Sequence, residues 1–148
     1  MTCNFVVTNK KHCRDIVHLN VGGTYYDTFY GTLATGESLF FHMMFRKSRH
    51  NLNMVLVNEK RIITDENNRV FIDRNGKAFK YILNYFRTGR TSMLPESFEE
   101  LKQLYSETIF YQIHELAHDV SDAIRSYPKY EPYDFASYPA IKCSCKKE

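Results

Sequence analysis

The sequence predicts a single domain of the α+β class, with strands mainly in its first half and helices mainly in its second half. Residues Ile16–Val21 alternate between apolar and polar side chains, which is the period of a half-buried strand. Between Lys77 and Thr88 the apolar side chains instead follow the helical spacing i, i+3, i+4, i+7. A chain of 148 residues with 43% hydrophobic side chains is large enough for one core.

The first predicted element is a β-hairpin around Gly22-Gly23. Two glycines in succession tolerate positive φ, and the β-favouring residues Thr24-Tyr25-Tyr26 follow them. A glycine pair before a hydroxyl residue also suggests a phosphate-binding loop, but that loop needs G-x-x-x-x-G-K-[ST] or G-x-G-x-x-G spacing. Neither spacing occurs here, so the pair is interpreted as a turn.

The middle of the chain predicts one short helix and several short strands. Residues Ser38–Phe45 have a helical pattern of apolar side chains that we expect to be buried, namely Leu39, Phe40, Met43 and Met44. Residues 46–53 are polar and predict a loop. Strand-like runs follow at 54–57, 61–63 and 70–72, with a turn at 65–68 before the last of them.

Three helices complete the predicted domain. The first, Lys77–Thr88, ends before Gly89, the residue type that most readily adopts a left-handed C-terminal cap. The second begins at the capping-box sequence Ser97-Phe98-Glu99-Glu100. The third spans Ile109–Ile124. Over the last two helices the expected buried residues are Leu101, Leu104, Tyr105, Ile109, Ile113, Leu116 and Val120.

Domain boundaries follow from composition. Residues 1–14 predict a flexible leader, residues 15–125 the folded domain, and residues 126–148 an extended tail rich in Pro and Tyr. The cysteines all lie outside the predicted domain: Cys3, Cys13, Cys143 and Cys145. A core without disulfides suits a reducing compartment, which predicts a cytoplasmic or nuclear location.

Charge and hydropathy argue against nucleic-acid and membrane partners. The formal net charge is +3, and Lys and Arg are scattered among Asp and Glu rather than gathered into a basic stripe. No apolar run approaches the roughly 18 residues that a membrane span needs. The first residues also lack the basic and then apolar segments of a secretory signal.

The sequence His114-Glu115-Leu116-Ala117-His118 matches the H-E-x-x-H pattern of zinc hydrolases. On a helix, His114 and His118 share one face and can bind zinc, with Glu115 as a general base. A catalytic zinc also needs a third protein ligand, and no acidic or cysteine residue follows at a familiar spacing. A structural metal held by these histidines with Cys143 and Cys145 is a second remote alternative. We expect solvent-facing histidines, no cofactor and no enzymatic activity.

Four successive blocks of this sequence resemble one known family. They are "VHLNVGGTYYDT", "TL", "FIDRNGKAFKYILNYFRTG" and "LPESFEELKQLYSETIFYQIHEL", and they extend over about residues 15–120. Together they resemble the BTB/POZ domain of the potassium-channel tetramerisation type. The segments "FIDRNG" and "FYQI" are most similar to its KCTD-like branch, whereas the segment from Arg46 to Arg69 is long and atypical.

The resemblance implies a BTB/POZ fold, which is a small mixed sheet that starts with a β-hairpin and is surrounded by helices, including helical hairpins. It also implies homo-oligomeric rings, usually tetramers or pentamers. Many KCTD-like proteins bring a substrate protein to the ubiquitin-ligase scaffold cullin-3, so cullin-3 and an unknown substrate are the expected partners. The alternative is an assembly or regulatory subunit of a potassium channel or receptor. Channel-type domains often hold an interfacial zinc, but the adjacent Cys-Cys pair is missing here.

Polar residues around the predicted helix 77–88 are the candidates for the ring interface. They are Asp73, Arg74, Asn84, Tyr85 and Arg87. Asp73 precedes the helix and can accept hydrogen bonds from its free N–H groups. Arg74 and Arg87 offer planar donors for carboxylates across a subunit boundary. Without the resemblance, a solvated face and a local cap would explain these charges.

Overall fold

The computed structural model describes residues 4–128. Within these residues the strands are β1 (Asn9–His12), β2 (Ile16–Val21), β3 (Thr24–Phe29), β4 (Phe45–Lys47), β5 (Met54–Val57) and β6 (Val70–Ile72). The helices are α1 (Tyr30–Thr35), α2 (Leu39–His42), α3 (Gly76–Thr88), α4 (Phe98–Tyr111) and α5 (His114–Arg125), with a 3₁₀ turn at Glu59–Arg61. Among the described helices, none has the length and apolar character to cross a membrane.

The predicted hairpin is confirmed, and it forms a mixed sheet in the order β3-β2-β6, called here the hairpin sheet. β2 pairs antiparallel with β3 and parallel with β6. Gly22 and Gly23 have φ values of 57° and 100°, so both use the left-handed freedom of glycine. A Cβ on Gly22 would lie 2.2 Å from the carbonyl oxygen of Arg74, so the turn also packs closely against the chain that leads into α3.

A second sheet, in the order β1-β5-β4, was not expected and is called here the β1 sheet. Its strands are antiparallel throughout. The prediction of a flexible leader over residues 1–14 is therefore wrong for Asn9–His12, which pair with Met54–Val57. The polar sequence NKKH carries no strand signal of its own, and its backbone is ordered by a strand more than 40 residues away.

The short elements of the middle region differ from the prediction in three places. The helix expected over Ser38–Phe45 is confined to Leu39–His42, because Phe45 starts β4. Leu39 is exposed rather than buried. The expected strand at 61–63 is absent from the described residues, where a 3₁₀ turn precedes an exposed Ile63. The structure also adds α1, which buries Leu33 and Ala34.

Of the later helices, the end of α3 and the start of α4 match the prediction, whereas the start of α5 does not. Gly89 has φ 76° and ends α3 as expected. The side chain of Ser97 caps α4 by accepting a hydrogen bond from the backbone N–H of Glu100. The third predicted helix begins later than expected, at His114, because Gln112 adopts a left-handed conformation after α4. Ile109 therefore lies on α4, where it is exposed.

Aromatic side chains from three helices meet at the centre of the core. The rings of Phe41 and Tyr111 stack with their centroids 5.5 Å apart, and Phe79 lies 5.4 Å from Tyr111. Burial raises the pKa of Tyr111 far above its ordinary value. This cluster ties α2, α3 and α4 together. Tyr105 on α4 lies outside it and is exposed, contrary to the prediction.

Candidate interaction surfaces

Arg74 forms an ion pair within its own chain at the junction between β6 and α3. Its Nε donates to Glu107 Oε1 at 3.0 Å and its Nη2 donates to Glu107 Oε2 at 3.1 Å. The guanidinium also lies 4.3 Å from the ring centre of Phe110. The side chain of Glu107 is only 7% exposed. The carboxylate that we expected from a neighbouring subunit is thus supplied by α4, and the pair fixes α4 to the start of α3.

The start of α3 is capped by Asn75 and not by Asp73. The Oδ1 atom of Asn75 accepts from the backbone N–H groups of Lys77 at 3.0 Å and Ala78 at 3.2 Å. Asp73 is exposed at the end of β6, two residues too early in the chain to take the cap position. The predicted capping role of Asp73 is therefore wrong. Its side chain remains available on the surface.

Tyr85 and Asn84 lie on α3 and are engaged within the same chain. Tyr85 is 6% exposed and its hydroxyl donates to Glu115 Oε1 of α5 at 3.1 Å. Burial and this hydrogen bond raise the pKa of Tyr85 to about 12. The Nδ2 of Asn84 donates to Ser92 Oγ at 3.0 Å. Both residues therefore connect α3 to neighbouring segments.

Arg87 is exposed and contacts the hairpin sheet. Its Nη2 donates to the backbone carbonyl of Asp27 at 3.0 Å. The side chain of Asp27 in turn accepts from His18 Nδ1 at 2.7 Å and from Arg69 Nη1 at 3.3 Å. The hydrogen bond from His18 is the main cause of a lowered pKa at Asp27. This polar network was not predicted, although the alternation of Tyr25, Asp27 and Phe29 on β3 would have indicated an outward row.

A cavity of about 680 Å³ lies beside Arg87. Its lining combines the cationic residues Arg14, Lys47 and Arg87 with the apolar residues Ile16, Phe29 and Leu52. Ile16 and Phe29 are directly paired across β2 and β3, and both are exposed. Asp27 also lines the cavity, which therefore offers an apolar patch bordered by three cationic residues and one acidic residue. Of the five predicted interface residues, Arg87 is the one that lines it.

The H-E-x-x-H motif forms the start of α5. Glu115 of this motif accepts the hydrogen bond from Tyr85, and His118 is 72% exposed with its Nδ1 3.7 Å from Asp119 and 3.6 Å from Asp122. Over residues 4–128, no three His, Cys, Asp or Glu side chains are grouped so that they could hold a metal ion. Cys143 and Cys145 lie outside the described residues. Cys13 packs against the core, and its carbonyl accepts from the N–H of Gly31.

Comparison with known proteins identifies the family. The family sequence model of the BTB/POZ domain matches residues 17–120. This chain belongs to the BTB/POZ family. It is also 38% identical over 102 residues to the BTB/POZ domain-containing protein KCTD21 of mouse and to that of human. These alignments cover 69% of this chain and 35% of each relative, so the chain spans about a third of the length of the curated relatives it matches.

The match supports the KCTD-like branch that the sequence resembles. BTB/POZ domains of this branch are protein-interaction and self-association domains rather than enzymes. The match begins at residue 17, so β1 precedes it, whereas the elements from β2 to α4 and the first half of α5 lie within it. The involvement of Asp73, Arg74, Asn84, Tyr85 and Arg87 in a subunit interface remains a prediction.

Proposed function

We propose that this chain is a homo-oligomeric adaptor subunit that brings a substrate protein to a cullin-3 ubiquitin ligase. The observation that carries the proposal is the family match over residues 17–120 together with the KCTD21 relatives. Domains of this branch associate with copies of themselves and with other proteins. The ring is a tetramer or a pentamer. The cysteine-poor core agrees with action in the reducing cytoplasm or nucleus.

The surfaces on the two sides of α3 support ring formation. Tyr85 and Arg87 are two positions apart, which places their side chains about 200° apart around the helix. Tyr85 contacts Glu115 of α5, and Arg87 contacts Asp27 of β3. A closed ring needs two different faces that complement each other, because its interface is heterologous. Tyr85 itself is buried, so the two faces are the exposed surface of α5 on one side of α3 and that of the hairpin sheet on the other.

These two faces also differ in charge. The side that carries Arg87 includes Arg14 and Lys47 around the apolar patch. The side that carries α5 exposes the carboxylates Asp119 and Asp122, with Arg125 paired to Asp122 beside them. We expect the cationic face of one subunit to meet the acidic face of the next. Such pairing fixes the orientation of the subunits and speeds their association more than it raises the affinity.

Native mass spectrometry of the full chain tests self-association. We expect a single ring mass at micromolar concentration, and we expect Arg87→Glu to shift the population toward smaller species. Lys102→Glu is the matched control, because Lys102 is exposed on α4 and forms its ion pair with Glu99 of the same helix. A wild-type chain that stays monomeric at tens of micromolar would contradict the proposal.

Addition of the amino-terminal domain of cullin-3 tests the ligase role. We expect a new complex with one cullin per subunit. A ring that forms but does not bind cullin-3 would instead favour the alternative, in which the ring assembles or regulates a potassium channel or receptor. In that case we expect binding to the cytosolic domain of such a channel or receptor. The two outcomes are separable because ring formation is measured before cullin is added.

A further inference from the structure

The outer face of the β1 sheet forms a groove of about 910 Å³ that shares only Lys47 with the cavity beside Arg87. Its floor contains Met54 and Leu56, which project from the same side of β5 and are half-buried. Leu56 pairs with Lys10 on one side and with Arg46 on the other, so a cation stands on each side of the apolar strip. We call this groove the β1 groove.

The rim of the β1 groove carries a local excess of positive charge. Its basic residues are Lys10, Arg46, Lys47, Arg49 and His50, and no Asp or Glu lines it. The whole chain has 20 Lys and Arg against 17 Asp and Glu, so a mixture of both signs would be expected. Within residues 4–128, none of these five basic residues forms a salt bridge with a carboxylate, although ion pairs occur elsewhere on the surface.

The position of Arg46 is fixed by contacts other than ion pairs. Its Nε donates to the backbone carbonyl of His42 at 3.0 Å, and its guanidinium lies 4.5 Å from the ring centre of Phe5. Phe5 and Val7 add apolar side chains to the wall of the groove. A held guanidinium loses less conformational freedom when it binds a carboxylate than a freely moving one. The groove therefore combines an apolar strip with at least one positioned cation.

We propose that the β1 groove is a docking site for an extended peptide segment of a partner protein, in which Asp or Glu alternates with apolar residues. Alternate side chains of an extended peptide point to opposite sides. The apolar side chains can cover Met54 and Leu56 while the intervening carboxylates meet the cations of the rim. Charge complementarity of this kind favours an acidic partner over a basic one.

The apolar strip argues for a peptide rather than a nucleic acid. A phosphate backbone would pair with the rim but would leave Met54 and Leu56 uncovered. Single-stranded nucleic acid is usually held by exposed aromatic rings on which bases stack. The aromatic side chain of this groove, Phe5, is half-buried and already lies against Arg46. The partner therefore needs carboxylates and apolar side chains together.

Fluorescence anisotropy with the full chain tests the proposal. The probe is a labelled ten-residue peptide of alternating Glu and Leu, and its control replaces each Leu with Ser at unchanged charge. We expect the Glu-Leu probe to bind, the Glu-Ser control to bind at least about tenfold more weakly, and added salt to weaken both. Equal binding of the two peptides would overturn the role of the apolar strip.

Matched variants locate the binding site. Lys10→Glu with Arg49→Glu should weaken binding of the Glu-Leu probe at least about tenfold, because both residues belong to the rim. Lys60→Glu with Lys102→Glu makes the same charge change at exposed positions elsewhere, and it should alter the affinity by less than about twofold. The single change Arg49→Gln repeats the test with a smaller perturbation of the fold. Equal effects of the two double variants would overturn the proposal.

Two further measurements exclude other occupants. A ten-nucleotide single-stranded RNA that binds more tightly than the Glu-Leu probe and competes with it would identify a nucleic-acid site and overturn the proposal. The chain's own segment 130–139 contains the carboxylates Glu131 and Asp134 among aromatic residues. An increase of at least about threefold in probe affinity in the variant Glu131→Gln with Asp134→Asn would make that segment the occupant instead of a partner. We expect no such increase.

Discussion

The outer faces of the two sheets differ in whether their charged side chains form ion pairs within the chain. On the hairpin sheet, the carboxylate of Asp27 lies between His18 at 2.7 Å and Arg69 at 3.3 Å, so positive and negative groups are paired within the chain. On the β1 sheet, Lys10 and Arg46 stand on either side of Leu56, and no carboxylate lines the groove between them. The charges of the hairpin sheet are therefore paired with each other, whereas the cations of the β1 groove pair with no carboxylate of residues 4–128.

The two sheets also differ in how the structure connects them to the later helices. The hairpin sheet is joined to α3 by the close approach of Gly22 to Arg74, and Arg74 is joined to α4 through Glu107. In the β1 sheet, β1 precedes the residues that match the family, and β4 and β5 lie within them. We therefore expect changes in the first region to affect stability, and changes on the outer face of the second to affect binding.

The largest effect is expected at the turn of the hairpin sheet. Gly22→Ala should lower the free energy of unfolding by about 3 kcal/mol or more, because its Cβ would lie 2.2 Å from the carbonyl oxygen of Arg74 and its φ is positive. Gly23→Ala has positive φ but no atom within 4 Å, so about 1–2 kcal/mol is expected. Chemical denaturation at one fixed protein concentration measures both. Equal losses would show that the contact with Arg74 is unimportant.

The next effect concerns the ion pair between α3 and α4. Glu107→Gln should cost about 2 kcal/mol, because it weakens two charge-assisted hydrogen bonds to Arg74 at a carboxylate that is 7% exposed. The cost stays below that of a fully buried pair, because the side chain of Arg74 is 29% exposed. Glu66→Gln makes the same change at an exposed position in the turn at 65–68 and should cost less than about 0.5 kcal/mol. If the two variants lost similar amounts of unfolding free energy, the Arg74–Glu107 pair would not be what holds α4 to the start of α3.

A smaller and pH-dependent effect is expected at Tyr85. Tyr85→Phe should cost about 1 kcal/mol near neutral pH through loss of the hydrogen bond to Glu115. The folded state raises the pKa of Tyr85 from 10.0 to about 12, so the stability that comes from the neutral phenol is complete below pH 10. It is lost as the pH rises from 10 to 12. Unfolding measured across this range should show the advantage of the wild type over Tyr85→Phe shrinking, and a constant difference would contradict the prediction.

The paired charges of the hairpin sheet should contribute less still. Asp27→Asn should cost about 0.5 kcal/mol, the scale of an exposed ion pair. His18 lowers the pKa of Asp27 below its ordinary value of 3.8, so this stability is present above that value and is lost as the pH falls below it. Unfolding measured between pH 5 and pH 2 should show the two proteins converging. A difference that stays constant to pH 2 would argue against the network.

The smallest effect is expected on the rim of the β1 groove. Arg49→Ala should change the free energy of unfolding by less than about 0.3 kcal/mol, because Arg49 is exposed and pairs with no carboxylate of residues 4–128. The same denaturation experiment measures it. A loss as large as that of Asp27→Asn would mean that the two faces do not differ in the way described here.

Local signals were enough to predict the hairpin and the later helices. Gly22-Gly23 indicates the turn of the hairpin, because glycine readily adopts positive φ. Gly89 indicates the end of α3 and Ser97 the start of α4, because each is a favoured capping residue. The β1 sheet has no comparable signal, because Asn9–His12 is polar and becomes a strand only by pairing with Met54–Val57. The resemblance to the family could not supply it either, since β1 lies outside the matched residues.

The roles expected for the candidate residues differ from the contacts that the structure shows. Arg74 and Arg87 were expected to bind carboxylates of another subunit, whereas Arg74 binds Glu107 of its own chain and Arg87 binds the backbone carbonyl of Asp27. Their partners could not be predicted, because Glu107 is 33 positions and Asp27 is 60 positions away from them along the chain. Burial of Tyr85 also depends on the packing of α5 against α3. These facts depend on distance in space, which spacing along the chain does not give.

The amino-acid order alone was enough to predict the α+β class, the hairpin turn, the helix ends at Gly89 and Ser97, and the family, because each of these depends on short-range sequence patterns. The tertiary structure decided that a polar leader becomes a strand, that Arg74 is satisfied within its own chain, and that five basic residues border one apolar strip. The physical reason is that strand pairing, ion pairing and burial are interactions between segments. Which residues interact in these ways depends on which segments the complete fold brings within a few ångströms of each other.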